Sequence, residues 1–191
     1  NSSNQLKKEI QFIRELFGHK KNPGLKTIMG LWSELFIIYK AKDTESWAKG
    51  WHTKPRSTFD FKFSNIGLDV KSFGGHTREH FFQLEQLTNI SVEQTIILSM
   101  SLQESEDGLT VFDLFNKILP KLNNDKLIKK IENLIFKIGG QNNKEARKFN
   151  ENIANNSLLL LRGREVPCIS NNIPTGISEI KFKADCSGVK P

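Results

Sequence analysis

Two short alternating runs constrain the fold of this chain more than any other feature. Thr58-Phe59-Asp60-Phe61-Lys62-Phe63 alternates polar and apolar residues, and Leu68-Asp69-Val70-Lys71-Ser72-Phe73 does so again after a turn at Ser64-Asn65 with Gly67. Two runs of period two around a tight turn predict a β-hairpin. In the first run Phe59, Phe61 and Phe63 share one face, with Asp60 and Lys62 on the other. In the second, Leu68, Val70 and Phe73 compete with Asp69 and Lys71. One face is therefore apolar and the other charged, and the apolar face needs a second layer to cover it.

The covering layer is legible as helices. Leu6, Ile10, Ile13, Leu16 and Phe17 recur at three and four residues, predicting an amphipathic helix over 5–18 that ends near Gly18 and a Pro23-Gly24 turn. Ile28, Leu31, Leu35 and Ile38, widened by Trp32 and Phe36, predict a second helix over 25–40, with Glu34 beside its apolar stripe. Residues 41–57 read as a loop. After Gly74-Gly75, residues 76–87 suggest a strand leading into a short turn or helix, and 94–102 a buried strand. Helices follow at 109–119, stopped by Pro120, and at 124–138, stopped by Gly139-Gly140. A polar helix near 142–153 and strands at 157–162 and 177–185 complete an α/β or α+β order with a small central sheet.

At 191 residues and 37% hydrophobic content, this is one domain's worth of core. No apolar run approaches the roughly 20 residues of a membrane span, so a membrane partner is not expected. Cys168 and Cys186 are too few for a disulfide scaffold, which makes a cytoplasmic location the expectation. A formal charge of +7 suits a polyanionic partner if the excess is clustered. The chain opens at Asn1 on polar residues that do not resemble a secretory signal, and we read it as the C-terminal part of a longer protein.

Chemistry concentrates on Glu34, Asp60, Asp69 and Lys71. Asp69 and Lys71 are one residue apart, so on a strand both emerge on one face, roughly 6 to 7 Å apart. Antiparallel pairing brings Asp60 beside Asp69, and helix 25–40 can add Glu34. Such oxygen ligands suit Mg²⁺ or Mn²⁺, hard cations that bind substrate phosphate. A metal on Asp60 and Asp69, with Lys71 stabilising developing charge, is equipment for phosphodiester cleavage. Spacing alone favours an ordinary solvated strand face.

Gly30-Leu31-Trp32-Ser33-Glu34-Leu35, Trp51-His52, Phe59-Asp60-Phe61, Leu68-Asp69-Val70-Lys71-Ser72, and Arg78 and His80 with Leu84-Glu85-Gln86-Leu87 together resemble the PD-(D/E)XK nuclease superfamily. The resemblance is narrower still to prokaryotic PD-(D/E)XK motif proteins of restriction and phage-defence gene clusters, and Val166-Pro167 and Pro174-Thr175-Gly176-Ile177 are similar to that family's ending. It implies a restriction-endonuclease-like core, a small mixed sheet flanked by helices, as one domain over 1–191. It implies Asp60, Asp69 and Glu34 as metal ligands and, with Lys71, as the catalytic set of a Mg²⁺- or Mn²⁺-dependent DNA endonuclease. DNA is then the partner, with a homodimer or other defence-system subunits beside it. Phe59 replaces the proline before the aspartate, and Ser33 stands where the helix motif has a small glycine. The second reading is a non-catalytic nucleic-acid-binding or assembly subunit on the same fold.

Gln86, Gln83, His80 and Arg78 follow the hairpin and are accessory candidates for the scissile phosphate, although ordinary hydrogen bonding at an element end is the favoured reading of the glutamines and a surface or satisfied histidine that of His80. Lys49, Lys54 and Arg56, interleaved with Trp47, Trp51 and His52, make a basic aromatic segment that could track phosphates. The tryptophans could as well plug the core. Lys126, Lys129, Lys130 and Lys137 read as a solvated helix face. With no HxxxH or HExxH, a zinc site is not expected.

Overall fold

The computed structural model describes residues 24–52, 57–88, 91–139, 147–169 and 173–190, apart from the side chains of 137–139. The expected helix over 5–18, Lys54, Arg56 and the side chain of Lys137 lie outside these residues. Helix α1 (Leu25–Lys40) leads into α2 (Thr44–Gly50), then strands β1 (Phe61–Phe63), β2 (Ile66–Phe73) and β3 (Glu79–Gln83). Helix α3 (Leu84–Thr88) precedes β4 (Gln94–Ser101), β5 (Glu104–Leu109), α4 (Val111–Ile118) and α5 (Asp125–Gly139). The described chain closes with α6 (Glu151–Ser157), β6 (Leu159–Arg162) and β7 (Lys181–Asp185).

Strands β1-β2-β4-β6 form a four-stranded mixed sheet, with β2 antiparallel to β1, parallel to β4, and β4 antiparallel to β6. Strands β3 and β7 pair antiparallel as a separate ribbon. The fold is thus a mixed α/β architecture of the restriction-endonuclease-like type, its small sheet flanked by helices.

Helix α1 forms because its apolar stripe has a sheet to bury against. Leu31, Trp32, Leu35, Phe36 and Ile38 join Phe61, Leu68, Val70, Leu98 and Met100 in one core with Leu114, Ile118, Ile131 and Ile135 from α4 and α5. Trp32 Nε1 donates to Leu109 O at 2.7 Å, so the indole is buried without an orphaned donor. Ser33, where a glycine was the family expectation, is buried and satisfies its hydroxyl on Met29 O at 2.7 Å. A smaller cluster of Phe82, Ile97, Leu161, Val166, Ala184 and Cys186 joins the ribbon to the other side of the sheet.

The hairpin is shorter at its start than the alternation suggests. Residues 58–60 form a bend, and β1 begins at Phe61. The Phe59 ring accounts for this: it is buried and lies over Gly67, where even a Cβ would meet it at 2.6 Å. That close approach is why the turn carries glycine there. Within the loop expected over 41–57, Thr44–Gly50 is instead helix α2, capped by Asp43, which accepts from Ser46 N at 3.0 Å, while 53–56 lie outside the described residues. Of the polar helix expected near 142–153, residues 142–146 lie outside the described residues, and 147–150 are not helical; α6 starts at Glu151, where Asn150 caps it by accepting from the Asn152 and Ile153 amides. Lys130 is not on a solvated face: its ammonium donates to Ala48 O and Trp51 O, fixing the end of α2, whereas Lys126 and Lys129 are exposed. Among the described residues, no helix is long and apolar enough to cross a membrane.

Candidate active site

Strand β2 carries Asp69 and Lys71 out of the same side of the sheet, as their spacing dictates. That side is not open to water. The β3–β7 ribbon and α3 cover it, leaving Asp69 only 3% exposed and the ammonium-bearing Lys71 side chain at 18%. Lys71 Nζ lies 2.6 Å from Asp69 Oδ2, an ion pair without hydrogen-bond geometry at that oxygen. The other Asp69 oxygen, Oδ1, accepts from Gln86 Nε2 at 2.9 Å. Gln86 is buried at the start of α3, where its Oε1 accepts from Gln83 N at 2.9 Å and from Lys71 Nζ at 3.4 Å.

Asp60 arrives from the bend before β1 rather than from a strand face. Its Oδ2 accepts from Val70 N at 2.7 Å, which locks it beside Asp69. Burial pushes the Asp60 carboxyl well above the usual carboxylate range, and the Asp69 and Glu34 charges push it further. Burial also raises Asp69, while the adjacent Lys71 ammonium pulls it back.

Glu34 is held from α1 by two consecutive residues of the segment after α2. Trp51 Nε1 donates to Glu34 Oε2 at 2.6 Å, and His52 Nε2 lies 2.8 Å from the same oxygen. His52 takes a left-handed φ of 40°, and its amide donates to Asp60 O at 2.8 Å. The side chains of Glu34, His52 and Asp60 bring one ligand atom each within 4.8 Å of one another. A set of carboxylate oxygens with one imidazole, mutually repelling and partly desolvated, suits a divalent cation, which would offset the repulsion that raises Asp60. Asp69 adjoins this group through Asp60, with its own oxygens turned to Lys71 and Gln86.

A cleft of about 280 Å³ opens onto these groups, lined by Thr58, Asp60, Asp69, Lys71, Gln86 and, at its rim, Phe81, Gln83 and Lys181. Asp60, Asp69 and Lys71 therefore share one cavity, with Glu34 against Asp60. Gln86 and Gln83 belong to the same place. Arg78 and His80 do not: Arg78 donates to Ser99 O and Ser99 Oγ at 2.8 and 2.6 Å and to Ser157 O at 2.8 Å, and His80 Nε2 pairs with Ser99 Oγ at 2.7 Å. Arg78 ties the ribbon to β4 and α6 and His80 ties it to β4, because a half-buried guanidinium and a buried imidazole find partners inside the fold. Lys49 pairs with Glu45 at 2.9 Å on the exposed face of α2. The sequence suggests Trp51 and His52 as part of a basic aromatic segment; the structure sets them directly after α2, where they grip Glu34.

With the geometry in hand, comparison with known proteins is decisive on one point. Residues 2–187 match the sequence model of a family described as "Putative PD-(D/E)XK family member, (DUF4420)". The chain belongs to this family. No curated protein and no solved structure gives a match. A nuclease-like fold is what membership in the DUF4420 family carries, and the Glu34-His52-Asp60 group is where this DUF4420 protein could hold the divalent cation that PD-(D/E)XK proteins usually employ.

Proposed function

We propose that the protein is a Mg²⁺- or Mn²⁺-dependent DNA endonuclease that hydrolyses phosphodiester bonds and serves a restriction or phage-defence system in the cytoplasm. The observation that carries this reading is the 2.6 Å approach of Lys71 Nζ to Asp69 Oδ2, beside Asp60, in one cleft. A solvated strand face has no reason to keep two repelling carboxylates under cover.

Asp60, Asp69 and Glu34, with His52, would hold the cation. When bound, it supplies Lewis-acid polarisation of a phosphate oxygen and a more acidic water. The protein does the rest. Lys71 presents its charge where negative charge grows on the phosphorus oxygens in the transition state. Gln86 keeps both Lys71 and Asp69 from turning into the cleft independently. Glu34, which Trp51 and His52 hold, would orient a water for in-line attack. A second copy of the chain, or another subunit of a defence system, would supply the second strand cut.

The purified protein is expected to nick or cut plasmid DNA with Mg²⁺ or Mn²⁺. Asp69→Ala and Lys71→Ala each abolish cutting. Activity persisting in both variants overturns the assignment.

A further inference from the structure

The β3–β7 ribbon exposes a face that its own packing does not require. In its antiparallel register Phe81 stands opposite Lys183 and Gln83 opposite Lys181, so these four side chains point outward while His80 and Phe82 point into the protein. Phe81 is 60% exposed, the most exposed large apolar side chain among the described residues, although its neighbour Phe82 is 1% exposed. Any polar residue would satisfy the alternation at that position at less cost in hydration. Phe81 also stands at the rim of the cleft that holds Asp60, Asp69 and Lys71, with Gln83 and Lys181 beside it. Lys26 Nζ lies 5.3 Å from the centre of the Phe81 ring.

An exposed aromatic ring with the Lys26 ammonium over one face, beside a cleft that Lys181 also lines, matches a ligand that alternates π faces with phosphates. Nucleic acid has that chemistry, but a paired duplex hides its base faces in the stack and offers only edges and phosphates. We infer that Phe81 stacks on an unpaired base adjacent to the bond in the cleft, with Lys26 and Lys181 on the flanking phosphates. The substrate class is then DNA with a single-stranded element: a single strand, a gap or a flap. The position of the scissile bond rests on the endonuclease reading; the stacking contact does not.

Binding is measured with Ca²⁺ in place of Mg²⁺, using a single-stranded oligonucleotide containing 2-aminopurine and a matched duplex, for the wild type, Phe81→Ala and Phe81→Trp. Phe81→Ala, with an unchanged melting temperature, is expected to weaken single-strand binding about five- to one-hundred-fold and to lose the 2-aminopurine quenching, with much less effect on the duplex. Phe81→Trp should keep both. Equal affinity of wild type and Phe81→Ala for the single strand overturns the inference. So does a wild-type dimer in sedimentation that Phe81→Ala dissociates without changing DNA binding, since Phe81 would then serve self-association. Phe81-dependent binding with no cutting by the wild type in Mn²⁺ of plasmid, single-stranded, gapped or flapped DNA sustains the stacking contact and sinks the endonuclease reading. Cutting with Phe81-independent binding does the reverse.

Discussion

Gln86 donates a 2.9 Å hydrogen bond from Nε2 to Asp69 Oδ1, and through Oε1 it also reaches Lys71, so one amide spans both members of the ion pair. The amide is itself oriented by Gln83 N. An outer partner of this kind aligns an active group without touching substrate. Gln86→Ala is expected to lower plasmid cleavage about 10- to 100-fold while the affinity for DNA in Ca²⁺ stays within about twofold of wild type. Equal losses in both would point to collapse of the cleft instead.

Asp60 is kept in place at a cost to stability, because burial and the Asp69 and Glu34 charges all oppose its ionised form. Asp60→Asn keeps an oxygen that can accept from Val70 N and removes the repulsion. The variant is expected to gain on the order of 1 kcal/mol, a rise in melting temperature of about 2–4 °C for a chain of this size, and to lose cleavage. Calorimetry without divalent cation, paired with a plasmid assay, checks both halves.

Cation binding should be visible as thermal stabilisation before any DNA is added. At about 100-fold excess over its dissociation constant, Mn²⁺ should add roughly 2.7 kcal/mol. Glu34→Gln and His52→Ala should each reduce the Mn²⁺-induced rise in melting temperature, because each removes one corner of the group within 4.8 Å. A shift that is unchanged in both variants would locate the cation elsewhere.

His80 is buried against Ser99, and burial together with the Lys71 and Arg78 charges pushes it down to about 4, from an ordinary 6.5. It is therefore neutral in the fold at pH values where the unfolded chain protonates it. Its contribution is full above about pH 6.5 and is lost as pH falls toward 4, at a slope approaching 1.4 kcal/mol per pH unit. The raised Asp60 works in the opposite sense, its contribution falling as pH rises. The difference between wild type and His80→Gln isolates the histidine: urea midpoints of the two should converge as pH falls from 6.5 to 4.

Much of this was legible locally. The Asp69-x-Lys71 spacing fixed a shared face, the 25–40 periodicity gave α1 with Glu34 on it, and the period-two runs gave the hairpin. What local reasoning missed came from distant pairing. The ribbon joins Glu79–Gln83 to Lys181–Asp185, a contact no short window can contain, and it is this cover that turns a charged strand face into a buried site. The same pairing draws Arg78 and His80 inward to Ser99, which takes Arg78 away from the phosphate and makes His80 the satisfied histidine that the sequence favoured. Helix α2 was hidden because its seven residues, with Trp and Gly among them, carry little periodicity, and its cap Asp43 was read as loop polarity.

The grip of Trp51 and His52 on Glu34 has a consequence for the newborn chain. Glu34 is made early and finds its place when the segment after α2 folds back, Asp60 follows with the bend, and the cover over Asp69 waits for residues 181–185. The strand that completes the cover over Asp69 is therefore made long after the carboxylates themselves, and a chain lacking residues 181–185 would carry the acids without the arrangement that buries them.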